Sequence, residues 1–164
     1  MKSILISIRP KWVAKILKRE KTIEIRKTAP KCELPIEVYI YCTKGDYIGH
    51  LSNRYVGKVV AKFTLNKIEN FINGMNELER EWDGKPDDEY DYFAYEKALE
   101  KACLTYEEAD EYCPDKSFYA WHISDLQIFD EPKEISEFKD DFQSGVYNRK
   151  PKPPFSWCYV EAKA

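Results

Sequence analysis

The chain has 164 residues and a mass of 19.4 kDa, about one domain's worth of sequence with room for a sizeable core. Hydrophobic residues make up 43% and charged residues 34%, a balance that excludes a disordered chain, and no apolar run approaches the roughly 18 residues needed to cross a bilayer. The net charge of −3 hides an asymmetry: residues 1–67 carry 15 Lys/Arg against 5 Asp/Glu, residues 68–115 carry 4 against 16, and residues 116–164 carry 7 against 8. A basic first third points to an anionic partner for that part, unless the acidic middle folds over it and neutralises it.

The opening Ser3-Ile4-Leu5-Ile6-Ser7-Ile8 reads as a short strand. It is too short for a signal-peptide core and runs into charge, which places the chain in the cytosol. Pro10 suits the first position of a helix over about 10–19. Trp12, Val13, Ile16 and Leu17 lie on one side of that helix, and Lys11, Lys15, Lys18 and Arg19 on the other. Thr22-Ile23-Glu24-Ile25-Arg26 alternates, with Ile23 and Ile25 inward. A strand follows over about 37–43 and, after a loop with Gly45 and Gly49, another over Gly57–Leu65. These read as strands of a half-buried antiparallel sheet.

From residue 68 to about 115 the pattern turns helical and acidic. Asn76–Trp82 and Asp88–Ala102 form two helices, and Thr105-Tyr106-Glu107-Glu108 opens a third with a capping-box pattern, ended by Pro114. Phe118–Ile123 and Leu126–Phe129 return to strand until Pro132, a polar basic loop leads to Pro154, and Phe155–Val160 is the last strand, with Phe155 and Trp157 assigned to the core or to closure of the barrel. The sum is an α+β domain over residues 1–164: a small antiparallel barrel with a helix after its first strand and a helical insertion at about 68–115.

Five cysteines (32, 42, 103, 113 and 158) show no ligand or redox spacing, and neither His50 nor His122 lies near one at ligand spacing. Buried reduced thiols, no metal and no cofactor are expected. His122 is expected to be a hydrogen-bonded structural histidine.

The densest cluster of chemistry is Ser7-Ile8-Arg9-Pro10 with Arg19-Glu20-Lys21-Thr22-Ile23-Glu24-Ile25-Arg26. Lys21 sits where helix gives way to strand. Glu24 and Arg26, two apart on one strand face, stand roughly 7 Å apart at the usual rise. A Glu between two cations holds both in place, and the set can receive a phosphate or a base edge, with Arg as a fork and Lys as a point charge. The plain alternative is a surface salt-bridge ladder. Tyr39 with Tyr41, and Tyr119 with Trp121, share strand faces, as stacking platforms for single-stranded nucleic acid do and as core aromatics also do.

In these residues the sequence resembles the ASCH family, small domains related to the PUA fold, whose Gly-x-Lys-x-x-x-x-Arg pattern is met by Lys21 and Arg26, with Arg19 in place of the Gly. The resemblance continues through Tyr41-Cys42-Thr43, Gly57–Ala61, Ser117–Ile123 and Pro153-Pro154-Phe155-Ser156-Trp157. It implies a PUA-like barrel with a cleft beside the first helix that takes RNA or a nucleotide-like molecule, with Arg9, Lys11, Lys15, Lys21, Glu24, Arg26, Tyr41 and Trp121 as binding residues and no membrane. Some bacterial members are N(4)-acetylcytidine amidohydrolases, in which the motif Lys acts as base, a Thr three residues later as nucleophile, and a distant Glu assists. Position 24 here is Glu, a poor replacement for a hydroxyl, so efficient amide hydrolysis is not expected. A hydrolase alternative has Lys21 and Glu24 as the catalytic pair, acting on RNA. A third reading gives the acidic segment a basic protein partner.

Overall fold

The computed structural model describes residues 1–45, 51–81, 94–140 and 152–162. His50, Gly49, the stretch 82–93 and the basic loop 141–151 lie outside them. Among the described residues nine strands and four α-helices follow one another: β1 (Lys2–Ile8), α1 (Pro10–Leu17), β2 (Ile23–Arg26), β3 (Ile36–Cys42), β4 (Val59–Leu65), β5 (Ile68–Phe71), α2 (Glu77–Glu81), α3 (Ala94–Ala102), α4 (Tyr106–Tyr112), β6 (Phe118–His122), β7 (Ser124–Lys133), β8 (Phe138–Asp140) and β9 (Trp157–Ala162). No helix among the described residues is long and apolar enough to cross a membrane.

The strands make a six-stranded sheet, in the order β7-β4-β3-β1-β9-β8, and a three-stranded sheet, β2-β6-β5. The expected closed barrel is not formed: β7 and β8 end the large sheet without pairing to each other. Two extended runs, β4 into β5 and β6 into β7, turn from one sheet into the other instead. Just after the second turn Asp125, at φ 49°, sits where the register of β7 against β4 shifts, and strands that switch sheets in this way make a corner, not a cylinder.

Nor is the large sheet purely antiparallel. β1 pairs with β3 in parallel, Ile4 opposite Val38 through Ile8 opposite Cys42, and with β9 antiparallel, Lys2 opposite Glu161 through Ile6 opposite Trp157. A parallel pair needs a long crossover, and residues 9–35, carrying α1 and β2, supply it. Because β1 and β3 are central, both faces are covered. Ile4, Ile6, Val38 and Ile40 face the main core with Val13 and Ile16 of α1, whereas Leu5, Tyr39 and Tyr41 face a smaller cluster closed by Phe138 and Val160.

The acidic segment begins with an unexpected strand, β5, that pairs with β6 (Ile68 opposite Trp121) ahead of the first helix, α2. Tyr95, Ala98, Leu99 and Ala102 of α3 and Ala109 of α4 cover Ile23, Ile25, Phe71, Phe118 and Ala120 of the small sheet. The capping box of α4 is formed, Thr105 accepting from the Glu108 amide. Strand β7 runs on through Pro132 to Lys133 as an edge strand, where a missing N–H costs no ladder bond.

Candidate functional site

Helix α1 ends in a Schellman turn. The Arg19 amide donates to the Ile16 carbonyl at 2.8 Å and the Glu20 amide to that of Lys15 at 3.0 Å, with Arg19 at φ 62°. Arg19 thus occupies a left-handed position that favours Gly, and keeps the turn at a steric cost. The turn aims Lys21 inward, into the junction where helix gives way to strand. Lys21 is 3% exposed, and its Nζ donates to the Ala102 carbonyl at 2.7 Å and lies 3.3 Å from Glu24 Oε2.

That carbonyl belongs to the last turn of α3, whose final four acceptors no helical amide can reach. Each of the four has a partner: the Leu104 amide for Leu99, the Cys103 amide for Glu100, the Thr22 amide for Lys101 and the Lys21 ammonium for Ala102. The motif lysine is therefore the cap of a helix some eighty residues away, where a cation also meets the negative end of the helix dipole.

Glu24, 7% exposed, joins Lys21 to Arg26. Its Oε1 accepts from Arg26 Nε at 3.0 Å and lies 2.9 Å from Nη2. Arg26 also donates to the Ser7 carbonyl at 2.6 Å and to the Ser156 hydroxyl at 3.2 Å. The Ser7 hydroxyl reaches the Pro154 carbonyl at 2.7 Å, and the Ser7 amide the Ser156 carbonyl at 2.9 Å. The cluster thus ties β2 to the end of β1 and to the segment before β9. It is half-buried to buried, not a surface ladder. Ser7 and Ser156 stand outside the expected binding residues, although a polar residue inside an apolar strand and a serine between two aromatics both hint at an internal partner.

The remaining expected residues divide. Arg9 is exposed and is the N-cap residue of α1; no side chain caps that end and its first turn has no acidic residue. Lys11 pairs with Glu108 of α4 at 2.7 Å, holding the Glu108 carboxyl below its ordinary range, so acidic α4 does neutralise part of the basic helix. Lys15 is half-buried in the last turn of α1, where a basic residue suits the helix dipole. Lys11 and Lys21 lie 4.5 and 5.2 Å from the Trp12 ring.

Tyr41 and Trp121 are corrected outright as stacking platforms: they are 3% and 0% exposed. Trp121 fills the main core, with its Nε1 donating to the Thr28 carbonyl at 3.3 Å and its ring 5.6 Å from that of Trp157, whose own Nε1 donates to the Thr28 hydroxyl at 2.9 Å. Phe155, expected in the core, is entirely exposed. Tyr112 of α4 was not anticipated. It is partly exposed, lies under Lys27 at 4.7 Å, and burial raises its phenol against the opposing pull of Arg26.

His122 and Glu69 face each other across the small sheet, His122 Nε2 lying 2.6 Å from Oε1, with Asn76 donating to the other oxygen at 3.3 Å. A cavity of about 320 Å³ beside them is lined by Ile23, Lys67, Glu69, Asn76, Lys97 and Lys101 among others. It lies away from Arg26 and Ser156, on the far side of β2. Among the described residues no group of three or more His, Cys, Asp or Glu side chains is arranged to hold a metal.

No family model matches the sequence, and no curated protein does. The fold does have counterparts. The crystal structure of ASCH from Zymomonas mobilis superposes with a TM-score of 0.64 at 17% identity, covering 97% of this chain and 87% of that one. A serine-to-alanine variant of the same protein gives 0.64 at 16% identity over 97% and 88% of the two chains. A tyrosine-to-phenylalanine variant gives 0.63 at 16% identity over 98% and 91%. At such identities the agreement is one of architecture. The superposition over nearly the whole chain makes this an ASCH-like fold.

Proposed function

We propose that the chain binds single-stranded RNA or a nucleotide-like anion at the N-terminal end of α1, with Arg9 and Arg26 as its cationic contacts. The observation that carries this reading is the start of α1: an end with no side-chain cap and no acid in its first turn, next in sequence to β1, whose Ser7 carbonyl holds the Arg26 guanidinium. The positive end of a helix dipole favours an anion, and a guanidinium braced by a carboxylate meets a phosphate with little loss of side-chain entropy. Lys21 and Glu24 serve as the brace, with their charges met inside the fold. The ASCH-like architecture supports the choice of ligand class.

Titration of a labelled single-stranded oligonucleotide at two salt concentrations tests this. Contact with about three phosphates gives a log–log slope of about −2 for a single strand, and Arg9→Ala and Arg26→Gln reduce it. Absence of binding at low salt removes the reading. The same incubations, with short RNA and with acetylcytidine, address hydrolysis by Lys21 and Glu24. Product formation abolished by Glu24→Gln would replace the binding module with an enzyme.

A further inference from the structure

We propose that Phe155 is a stacking platform for a nucleobase of the ligand bound beside Arg26. The inference rests on the binding reading above and extends it to one aromatic contact. A phenylalanine ring left wholly in water forgoes the stabilisation that burial confers. Single exposed apolar side chains are ordinary on mobile loop tips. Phe155 does not sit on one: its neighbours on both sides are fastened. Ahead of it, Pro153 and Pro154 fix two backbone angles, and the Pro154 carbonyl accepts from the Ser7 hydroxyl at 2.7 Å. Behind it, the Ser156 carbonyl accepts from the Ser7 amide at 2.9 Å and the Ser156 hydroxyl from Arg26 at 3.2 Å. The ring is therefore presented from a backbone tied to the same Ser7–Arg26 pair that forms the candidate anion site.

The chemistry around the ring selects the class of ligand. Arg26 is one residue's hydrogen bond away, and exposed Lys152 lies three positions earlier. An apolar protein side chain would gain little from such cations. A nucleotide offers an anion and a flat π-face together, and aromatic platforms beside basic side chains hold single strands in this way. The core positions of Tyr41 and Trp121 leave this role to an aromatic outside the sheets.

The test compares the parent with Phe155→Ala and Phe155→Trp, using short oligouridylate and an abasic phosphodiester of equal length. Losing one base stack lowers oligouridylate affinity about tenfold or more in Phe155→Ala, while Phe155→Trp keeps it and abasic affinity stays unchanged in all three. Phe155 touches no core residue, so thermal melts of the three proteins coincide. Unchanged oligouridylate affinity in Phe155→Ala, with the parent binding in a salt-dependent way, overturns the stacking role and leaves the binding reading intact. An equal loss on the abasic strand also overturns it. A parent that binds neither strand overturns both.

Discussion

Replacing Lys21 by alanine removes a buried ammonium with two partners, and the consequences can be followed atom by atom. Glu24 Oε2 loses the cation at 3.3 Å and keeps only Arg26, while the Ala102 carbonyl loses a 2.7 Å donor in a place water does not reach. Breaking a buried pair from one side costs about 3–5 kcal/mol, and an orphaned buried acceptor about 1–3 kcal/mol. The two overlap, and Glu24 retains its bonds to Arg26, so the net loss is about 3 kcal/mol, a fall in melting temperature of roughly 6–12 °C for a domain of this size. Lys21→Met separates packing from polar contacts, since it keeps the stem beside Trp12 and removes the ammonium, its charge and its donors together. Pairing it with Glu24→Gln in a double-mutant cycle isolates the coupling of the two groups. Hydrogen exchange at the α3 amides adds an independent readout, because a helix deprived of its cap frays from that end. A loss of less than about 1 kcal/mol in Lys21→Ala, the value of an exposed ion pair, would refute the assignment of Lys21 as a structural cap.

Three further expectations follow from other parts of the molecule. Arg19→Gly relieves a non-glycine residue at φ 62° and should raise stability by about 0.5–1 kcal/mol in urea titrations; a decrease would mean that the 3.4 Å contact of Arg19 with the Leu126 carbonyl outweighs the relief. The Glu69 carboxyl is held below its ordinary value of 4.5 mainly by its hydrogen bond with His122, so the stability it contributes is present above that pH and is lost as pH falls through the lower folded value. His122→Ala should flatten this acid limb between pH 4.5 and more acidic conditions, and an unchanged limb would show that other carboxylates dominate it. Burial pushes the Cys42 thiol up to about 12 and raises that of Cys113, so both should resist alkylation in the native protein and react on unfolding, as mass spectrometry of labelled peptides would reveal; rapid labelling of native Cys42 would contradict its burial.

Much of the architecture was legible from local patterns. The alternation in β4, the proline-led start of α1 and the capping box of α4 are each short-range, and each appears in the fold. The parallel pairing was readable but missed: Ile4-Leu5-Ile6 and Val38-Tyr39-Ile40-Tyr41 do not alternate, and unbroken apolar runs mark strands covered on both faces. Whether the sheets close depends on where extended runs bend, and Asn66-Lys67 and Asp125 carry no strong turn signal. At the candidate site, spacing correctly brought Lys21, Glu24 and Arg26 together. It could not reveal that Lys21 faces the end of α3, because that partner is a backbone carbonyl 81 residues on, which no side-chain motif records. Aromatics with a period of two looked the same as platforms and as core, and burial decided for core at Tyr41 and Trp121.

The central position of β1 has a consequence for biosynthesis. Its parallel partner β3 is made within some thirty residues, but the other partner, β9, pairs Tyr159 with Ile4 and is the last of the described strands to be synthesised. At roughly 5–20 residues per second on the ribosome, one edge of an apolar strand waits several seconds or more for its neighbour. Between Lys2 and Arg9 no charged side chain guards that edge. Loss of β9 would leave the slot open permanently, so a nick in the chain ahead of Trp157 is tolerable only while the severed strand stays seated against β1.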